Sequence, residues 1–287
     1  MGMLNGPANV SGSGMKRKHV ESSAASSIIK QGLVDRFRAG SLNVYIYESR
    51  PTLGAAAASV VASEIKNQIE KQGRAVGIFA SAPSQNEFLS ALVKEVNVEW
   101  SRLTAFHLDE YLGMNDQAPQ SFRRFLLDRL FDKVPVHKFH GLRGESEDAA
   151  GECRRYAGLL AENPPDLAVL GIGENGHLAF IDPPFCNFND PEAVKVVELD
   201  EVCREQQVHD GAFKTIDEVP RQALSLTIPT IMACPKLFAI VPGAAKQQAI
   251  KAAIEGPIAT ACPASILRTH KDAHLFIDRD SAALLSG

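Results

Sequence analysis

The segment Asp166-Leu-Ala-Val-Leu-Gly171 shows the pattern that decides the fold, a short apolar run that ends in a glycine-rich loop. Further runs of this kind occur along the chain. They are Asn43–Tyr47, Ala75–Phe79, Leu103–Leu108, Leu237–Val241 and Ala273–Ile277. Short runs with almost no polar alternation are typical of strands that are buried on both faces of a parallel sheet. We therefore predict that these segments are neighbouring strands of one sheet.

Helical patterns lie between the predicted strands. They are Leu53–Lys71, Phe88–Val96, Phe122–Phe131, Glu152–Ala161 and Ala244–Ile254. This alternation predicts βαβ units and an α/β fold with three layers around a mostly parallel sheet. No repeat or linker interrupts it, so we expect residues 26–287 to form a single domain. Residues 1–25 are rich in Gly, Ser, Asn and Ala, and we expect a disordered tail there.

Composition excludes several classes of protein. The chain has 287 residues, of which 45% are hydrophobic, and a net charge of −4. These values argue against a chain that is disordered throughout and against a nucleic-acid-binding surface. No run reaches the roughly 20 apolar residues of a membrane span. The five cysteines have no C-x-x-C spacing, and the N-terminus has no apolar signal segment. We therefore expect a cytoplasmic protein without a metal site.

Ligands of open α/β sheets bind beyond the carboxyl ends of the strands, so the segments after the strands carry the functional argument. After the strand Ala75–Phe79 come Ser81 and Ser84, whose hydroxyls and adjacent helix start favour an anion such as phosphate. The structural alternative is a capping box formed by Ser84 and Glu87.

Two further segments carry charged residues directly after strands. Asp109 and Glu110 follow the strand Leu103–Leu108, where a partly desolvated carboxylate can accept a proton; the alternative is a helix cap or surface turn. Lys246 lies in the first turn of a helix, where a cation opposes the helix dipole unless an anion binds there. The alternative for Lys246 is a solvated side chain.

The segment Gly171-Ile-Gly-Glu-Asn-Gly-His-Leu-Ala-Phe-Ile-Asp-Pro-Pro184 is the strongest local signal. Glycines allow close approach of a ligand, and a carboxylate at Asp182 can orient His177 and stabilise its charged form. The alternative is a structural histidine. The spacing Gly171, Gly173, Gly176 resembles a dinucleotide motif, but no long helix follows, so we reject that interpretation.

With these segments, the chain resembles the glucosamine-6-phosphate deaminase/isomerase family and, more distantly, the 6-phosphogluconolactonases, over roughly residues 40–280. The matching motifs are Leu108–Gly113, Gly171–Phe180 with Asp182-Pro183, Val219–Leu224 and Gly243–Lys246. The resemblance implies a Rossmann-like fold and a phosphorylated amino sugar as substrate. It implies an aldose–ketose isomerisation that ends, in deaminases, with release of ammonia.

The resemblance also implies roles for individual residues. Asp109 would move a proton between C1 and C2 of the sugar, and His177, supported by Asp182 with Asn175 nearby, would assist ring opening. The substrate-binding residues implied by these matches are Ser81, Ser84, Glu110, Gly173, Arg204 and Lys246. An enzyme of this kind, classed as a hydrolase, needs no cofactor or metal, and a homo-oligomer is usual for the family.

Three positions depart from the family pattern. Ala80–Gln85 stands where the family usually carries Gly-Gly-Thr-Pro, and Asp182 stands where it carries Glu. Asn175 replaces the acid two residues before the histidine, so the histidine loses a negatively charged partner. Glu174 is the adjacent acid that we consider as a replacement. These changes affect ring opening more than binding of the sugar phosphate.

Two alternative functions stay open at this point. One is an isomerase or lactonase for a different sugar phosphate; a lactonase needs the histidine to activate water but needs no acid at Asp109. The other is a non-catalytic sugar-phosphate sensor that acts through a protein partner. In each case, we expect Asn187–Asp217, which is polar and irregular, to form a mobile lid over the site.

Overall fold

The computed structural model describes residues 30–286, so the tail predicted at residues 1–25 lies outside the described residues. The strands are β1 (Leu33–Ala39), β2 (Leu42–Tyr47), β3 (Ala75–Phe79), β4 (Leu103–His107), β5 (Asp109–Tyr111), β6 (Lys138–His140), β7 (Leu167–Leu170), β8 (Val194–Glu198), β9 (Gln222–Leu226), β10 (Lys236–Val241) and β11 (Ala273–Asp278). The α-helices are α1 (Arg50–Gln72), α2 (Asn86–Leu92), α3 (Phe122–Leu126), α4 (Ala149–Glu162), α5 (Glu201–His209), α6 (Ile228–Met232) and α7 (Gln247–Glu255).

The main sheet has eight strands in the order β1-β2-β11-β10-β7-β3-β4-β6. Its strand pairs are parallel except for β1, which is antiparallel to β2. All the strands predicted from apolar runs lie in this sheet, which confirms the α/β fold with a mostly parallel sheet.

The two faces of the main sheet are covered by different elements because successive side chains point to opposite faces. In β3, Val76 and Ile78 pack in one hydrophobic cluster, whereas Ala75 and Phe79 pack in the other. Residues of α1, α2 and α3 belong to the second cluster, and residues of α4, α7 and β9 belong to the first. This arrangement confirms the three layers.

A second sheet, with the order β5-β9-β8, was not predicted. Its strands are antiparallel, and Asp109 of β5 pairs with Ser225 of β9. The acids of β5 break the apolar pattern by which we recognised strands, although all three residues of β5 are buried. A single domain over residues 26–287 stays a prediction.

The structural alternative for Ser84 is wrong, and so is one local prediction. Ser84 and Glu87 form no capping box, because Glu87 is held instead by Arg50, whose Nε lies 2.9 Å from Glu87 Oε1. The segment Asn187–Asp217 is not irregular throughout, because it contains β8 and α5. Its mobility stays a prediction. Among residues 30–286, none of the helices has the length and apolarity that crossing a bilayer requires.

The order of strands places the functional segments together. Strands β10, β7, β3 and β4 are adjacent and parallel, so the loops after their carboxyl ends lie at one edge of the sheet. The chain builds outward from β3 in one direction through β4 and β6, and from β7 in the other through β10 and β11. The reversal between β3 and β7 is the place where α/β sheets commonly bind ligands.

Candidate active site

A cavity of about 410 Å³ opens at this edge of the sheet. All four segments that follow the predicted strands contribute to its wall. The candidate residues that line it are Ser81, Ser84, Asp109, Gly173, His177 and Lys246. The carboxylate and the histidine that we selected from separate parts of the sequence therefore face the same space.

Asp109 lies at the junction between the two sheets, where β4 ends and β5 begins. Its residue surface is only 6% exposed, and its carboxylate has no hydrogen-bond or ion-pair partner within residues 30–286. Burial, and then the negative charge of Glu110, raise the pKa of Asp109 well above its ordinary value. A carboxylate in this state is suited to accept and return a proton near neutral pH.

His177 is held by a carboxylate from the same loop. Its Nδ1 lies 3.0 Å from Asp182 Oδ1, and Asp182 is fully buried. Burial alone would raise the pKa of Asp182, but contacts with His177, Asn175 and the Asp200 backbone N–H together lower the pKa below its ordinary value. Asp182 is therefore a carboxylate, which favours a proton on Nδ1 and leaves Nε2 for exchange with a substrate.

Loop geometry brings Asp182 back to His177 within a few residues. Leu178 and Ile181 form an isolated antiparallel bridge, and between them Ala179 has a positive φ of 51°. Gly176, before the histidine, also has a positive φ of 85°, which glycine adopts without strain. The glycines of this segment thus serve a turn that positions the histidine.

Asn175 lies outside the cavity wall, between two carboxylates. Its Nδ2 is 2.9 Å from Asp182 Oδ1 and 3.3 Å from Asp200 Oδ2, while its Oδ1 accepts from the His177 backbone N–H. Glu174 does not replace the missing acid, because its Oε2 lies 3.6 Å from Nδ1 of His209. Asn175 therefore supports the histidine loop and does not contact the cavity directly.

Lys246 is not the solvated lysine of the structural alternative. It is 6% exposed, lines the cavity and has no hydrogen-bond or ion-pair partner within the described chain. Burial lowers the pKa of Lys246, and the charges of Asp210, Glu174 and Cys203 partly offset this. An unpartnered, buried ammonium is costly unless an anion occupies the space beside it.

The serine loop lies beside the start of helix α2. Ser81 is buried and its Oγ donates to the backbone oxygen of Phe122, while Ser84 Oγ accepts from Gln85. Both residues line the cavity. Because Glu87 is occupied by Arg50, no capping carboxylate competes for the donors of this loop.

Two predicted substrate-binding residues do not line the cavity, and the structure gives them other contacts. Glu110 is fully buried and accepts hydrogen bonds from Ser121 Oγ and from the backbone N–H groups of Phe122 and Arg123. Its carboxylate therefore anchors the start of helix α3. Arg204 donates through Nη2 to the backbone oxygens of Ile216 and Val219. Both side chains hold neighbouring segments in this structure, and their roles in substrate binding stay predictions.

Sequence reasoning missed several polar residues of the wall. Arg129 lies just beyond helix α3; its Nε donates to Asn86 Oδ1 and its guanidinium carbon lies 3.9 Å from the Phe125 ring centroid. The others are Gln120, Gln206, Gln207 and Asp210. The last three come from the segment that we predicted as a lid without naming residues. Arg129 lies in the predicted helix Phe122–Phe131, so its position after the Asp109 segment was the available signal.

One group of metal-ligating residue types occurs within residues 30–286. The ligand atoms of His177, Asp182 and Cys203 lie within 4.8 Å of one another. The proximity of these residues has an explanation without a metal, because Asp182 contacts His177. Burial also raises the pKa of the Cys203 thiol well above its ordinary value, which disfavours the thiolate that a metal would need. The absence of a metal stays a prediction.

Comparison with known proteins agrees with this geometry. Residues 48–276 match the family described as glucosamine-6-phosphate isomerases/6-phosphogluconolactonase. The chain is 33% identical over 246 residues to the glucosamine-6-phosphate deaminase of Lactobacillus delbrueckii subsp. bulgaricus, covering 85% of this chain and 100% of the relative. It is 35% identical over 228 residues to the Streptococcus pneumoniae enzyme of the same name, covering 78% and 93%.

Solved structures show the same fold. A monomeric glucosamine-6-phosphate deaminase aligns with a TM-score of 0.77 and 29% identity, over 84% of this chain and 99% of that one. A 6-phosphogluconolactonase from Trypanosoma brucei aligns with a TM-score of 0.72 and 18% identity, over 85% and 98%, and supports the fold alone. These matches agree with the cavity and the sequence motifs, and they show that the chain belongs to the family of glucosamine-6-phosphate isomerases and 6-phosphogluconolactonases.

Proposed function

We propose that the protein converts glucosamine 6-phosphate to fructose 6-phosphate and ammonia, as an enzyme of amino sugar metabolism. The observation that carries the proposal is that Asp109, His177 and Lys246 line one cavity. The three side chains differ in charge and in their partners. Asp109 is an unpartnered carboxylate with a raised pKa, His177 has a carboxylate partner, and Lys246 is a buried cation. An acid–base pair beside an anion site matches a phosphorylated sugar that must exchange protons at carbon.

Ring opening is the first step of the proposed reaction. His177, whose Nδ1 lies 3.0 Å from Asp182 Oδ1, would take the proton of the C1 hydroxyl at Nε2 and return a proton to the ring oxygen as the C1–O5 bond breaks. Asp182 stabilises the imidazolium that forms between these transfers. The product is the open-chain aldehyde.

Isomerisation follows at the carboxylate. Ionised Asp109 would remove the proton from C2 while the aldehyde oxygen at C1 takes a proton from the substrate's own C2 ammonium group, which gives a neutral enolamine. The same carboxyl group would then return its proton to C1. The resulting C2 iminium then adds water and loses ammonia, which leaves the 2-ketose, fructose 6-phosphate. Asp109 is suited to both transfers because it lines the cavity and has no partner within the described chain that would have to be displaced.

Binding of the phosphate group is assigned to Lys246 with the Ser81–Ser84 loop. Arg129 is the second cation of the cavity wall, and its contacts with Asn86 and Phe125 hold it beside that loop. A phosphate dianion placed there would be paired with two positive charges. Arg204, which does not line the cavity, is not used in this proposal.

The names of the relatives support a deaminase and do not support the hydrolase label that we expected from the sequence. The lactonase alternative is not favoured, since the lactonase structure shares the fold at only 18% identity. A cytoplasmic location and assembly into a homo-oligomer stay predictions.

The test is to supply purified protein with glucosamine 6-phosphate and to measure ammonia and fructose 6-phosphate in separate coupled assays. Equimolar release of both products is expected. Absence of both, with turnover of 6-phosphogluconolactone or of another sugar phosphate, would overturn the proposal. Tight binding of hexose phosphates without turnover of any of them would instead favour the sensor.

A further inference from the structure

The histidine site contains a second carboxylate that the mechanism above does not use. This carboxylate is Asp200, which shares the amide nitrogen of Asn175 with Asp182: the nitrogen is 2.9 Å from Asp182 Oδ1 and 3.3 Å from Asp200 Oδ2. The backbone N–H of Asp200 also donates to Asp182 Oδ2, at 3.1 Å. Asp182 and Asp200 are thus joined by two contacts in one continuous network that ends at His177.

Asn175 is suited to its place between these two acids because it is neutral and donates hydrogen bonds. Two carboxylates that face the same side chain repel one another, and an amide N–H₂ between them donates to both without adding charge. An acid at position 175 would place three carboxylates together. A neutral amide at position 175 is therefore compatible with an acid at position 200, whereas a second acid at position 175 would be repelled by it.

We propose that Asp200 is a positioning residue that supplies, through the amide of Asn175, the second negative charge of the histidine site. This charge favours the imidazolium that His177 becomes during ring opening, so the inference rests on the proposed function. It restores electrostatic support that Asn175, as a neutral residue, cannot give. The ligand atoms of Asp182 and Cys203 lie within 4.8 Å of that of His177, and the other charged groups that line the same cavity are Asp109, Arg129, Asp210 and Lys246.

The variant Asp200→Asn tests the charge of Asp200 without removing its structural role. Asp200 is also the N-cap of helix α5, where its Oδ1 accepts from the Cys203 backbone N–H at 2.7 Å. Asparagine caps helices about as well as aspartate, so Asp200→Asn keeps the cap and removes the charge. A matched control is Asp148→Asn, because Asp148 caps helix α4 in the same way and does not line the cavity.

The experiment follows the His177 ring by NMR across pH in the full chain without substrate, with His177→Gln used to assign its signal. Asp200→Asn should lower the titration midpoint of the imidazole by about one pH unit, while Asp148→Asn leaves it unchanged. The double variant Asn175→Asp/Asp200→Asn, which moves the charge to position 175, should restore the midpoint.

Turnover gives the second readout. Asp200→Asn should reduce kcat about tenfold at neutral pH with little change in KM, and the double variant should recover most of it. An unchanged midpoint and pH profile in Asp200→Asn, or no recovery in the double variant, would overturn the inference. Because the titration needs no substrate, failure of the proposed reaction does not affect the first readout.

Discussion

Gly173 and His177 are in such close contact that only glycine fits beneath the imidazole. A Cβ built on Gly173 would lie 2.2 Å from Cε1 and 2.3 Å from Nε2 of His177. Atoms cannot approach so closely, so any side chain at position 173 has to displace the ring. The glycine that we assigned to substrate binding therefore has a direct structural reason: it makes room for the histidine.

Gly173→Ala should reduce kcat/KM by about 100-fold or more, since displacing a catalytic group by about 1 Å has an effect of this size. The measurement is steady-state turnover of glucosamine 6-phosphate. Gly158→Ala is the matched control, because a Cβ at Gly158 in helix α4 meets nothing within 4 Å. Wild-type turnover in Gly173→Ala would show that the ring position does not matter for the reaction.

Asp109→Asn should reduce kcat by about 100- to 10,000-fold, because the amide cannot take up the C2 proton. The variant should fold, since the buried group becomes neutral. The measurement is kcat, together with the circular dichroism spectrum. A loss of less than about tenfold would contradict the role of Asp109 as proton shuttle and would fit a lactonase instead.

The same variant gives a test of stability against pH. The pKa of Asp109 is raised well above 3.8 in the folded protein by burial and by Glu110. Above about pH 4 the unfolded chain therefore releases its proton first, the folded state binds more protons, and stability falls as pH rises. The Tm of Asp109→Asn should exceed that of wild type at pH 8, and the difference should shrink towards pH 4. A constant difference would contradict the raised pKa.

Lys246→Met should raise KM for glucosamine 6-phosphate about tenfold or more and weaken inhibition by inorganic phosphate, since the anion loses a buried cation. Lys251→Met is the control, because Lys251 lies in helix α7, which begins directly after Lys246, pairs with Glu255 and does not line the cavity. Equal KM values for the two variants would place the phosphate elsewhere.

Arg129→Ala should raise KM about fivefold to tenfold with little change in kcat, because the guanidinium contributes to binding and not to proton transfer. Arg124→Ala in helix α3, five residues before Arg129, provides the control; Arg124 pairs with Asp128 on the surface and does not line the cavity. If Arg204→Gln, measured alongside, raised KM while Arg129→Ala did not, the original assignment from the sequence would stand.

The sequence was most informative where burial alone decided the structure. The near-continuous apolarity of Ala75–Phe79 and of Leu237–Val241 identified strands with both faces covered, and the residues following them formed the cavity. It was least informative where polar residues are buried. Asp109-Glu110-Tyr111 is a strand because β9 pairs with it. A local sequence pattern cannot predict pairing with a strand that lies more than a hundred residues away.

Long-range contacts also explain which features of the candidate site could not be predicted from the sequence. Glu87 has the spacing of a capping residue, but Arg50, 37 residues earlier, binds it. The family resemblance implied a phosphate ligand at Arg204, but no local pattern predicts its contacts with the backbone oxygens of Ile216 and Val219. The sequence did not identify Asp200 as part of the histidine site, because its contact with Asn175 joins positions 25 residues apart.

The central claim is that Asp109, His177 and Lys246 act on one sugar phosphate, and a crystal structure with the open-chain analogue 2-amino-2-deoxyglucitol 6-phosphate tests it most directly. The account predicts the phosphate within hydrogen-bond distance of Lys246 Nζ, C2 beside the Asp109 carboxylate and the O5 hydroxyl beside His177 Nε2. An analogue bound outside this cavity, or one that contacts Asp109 or His177 but not both, would contradict it.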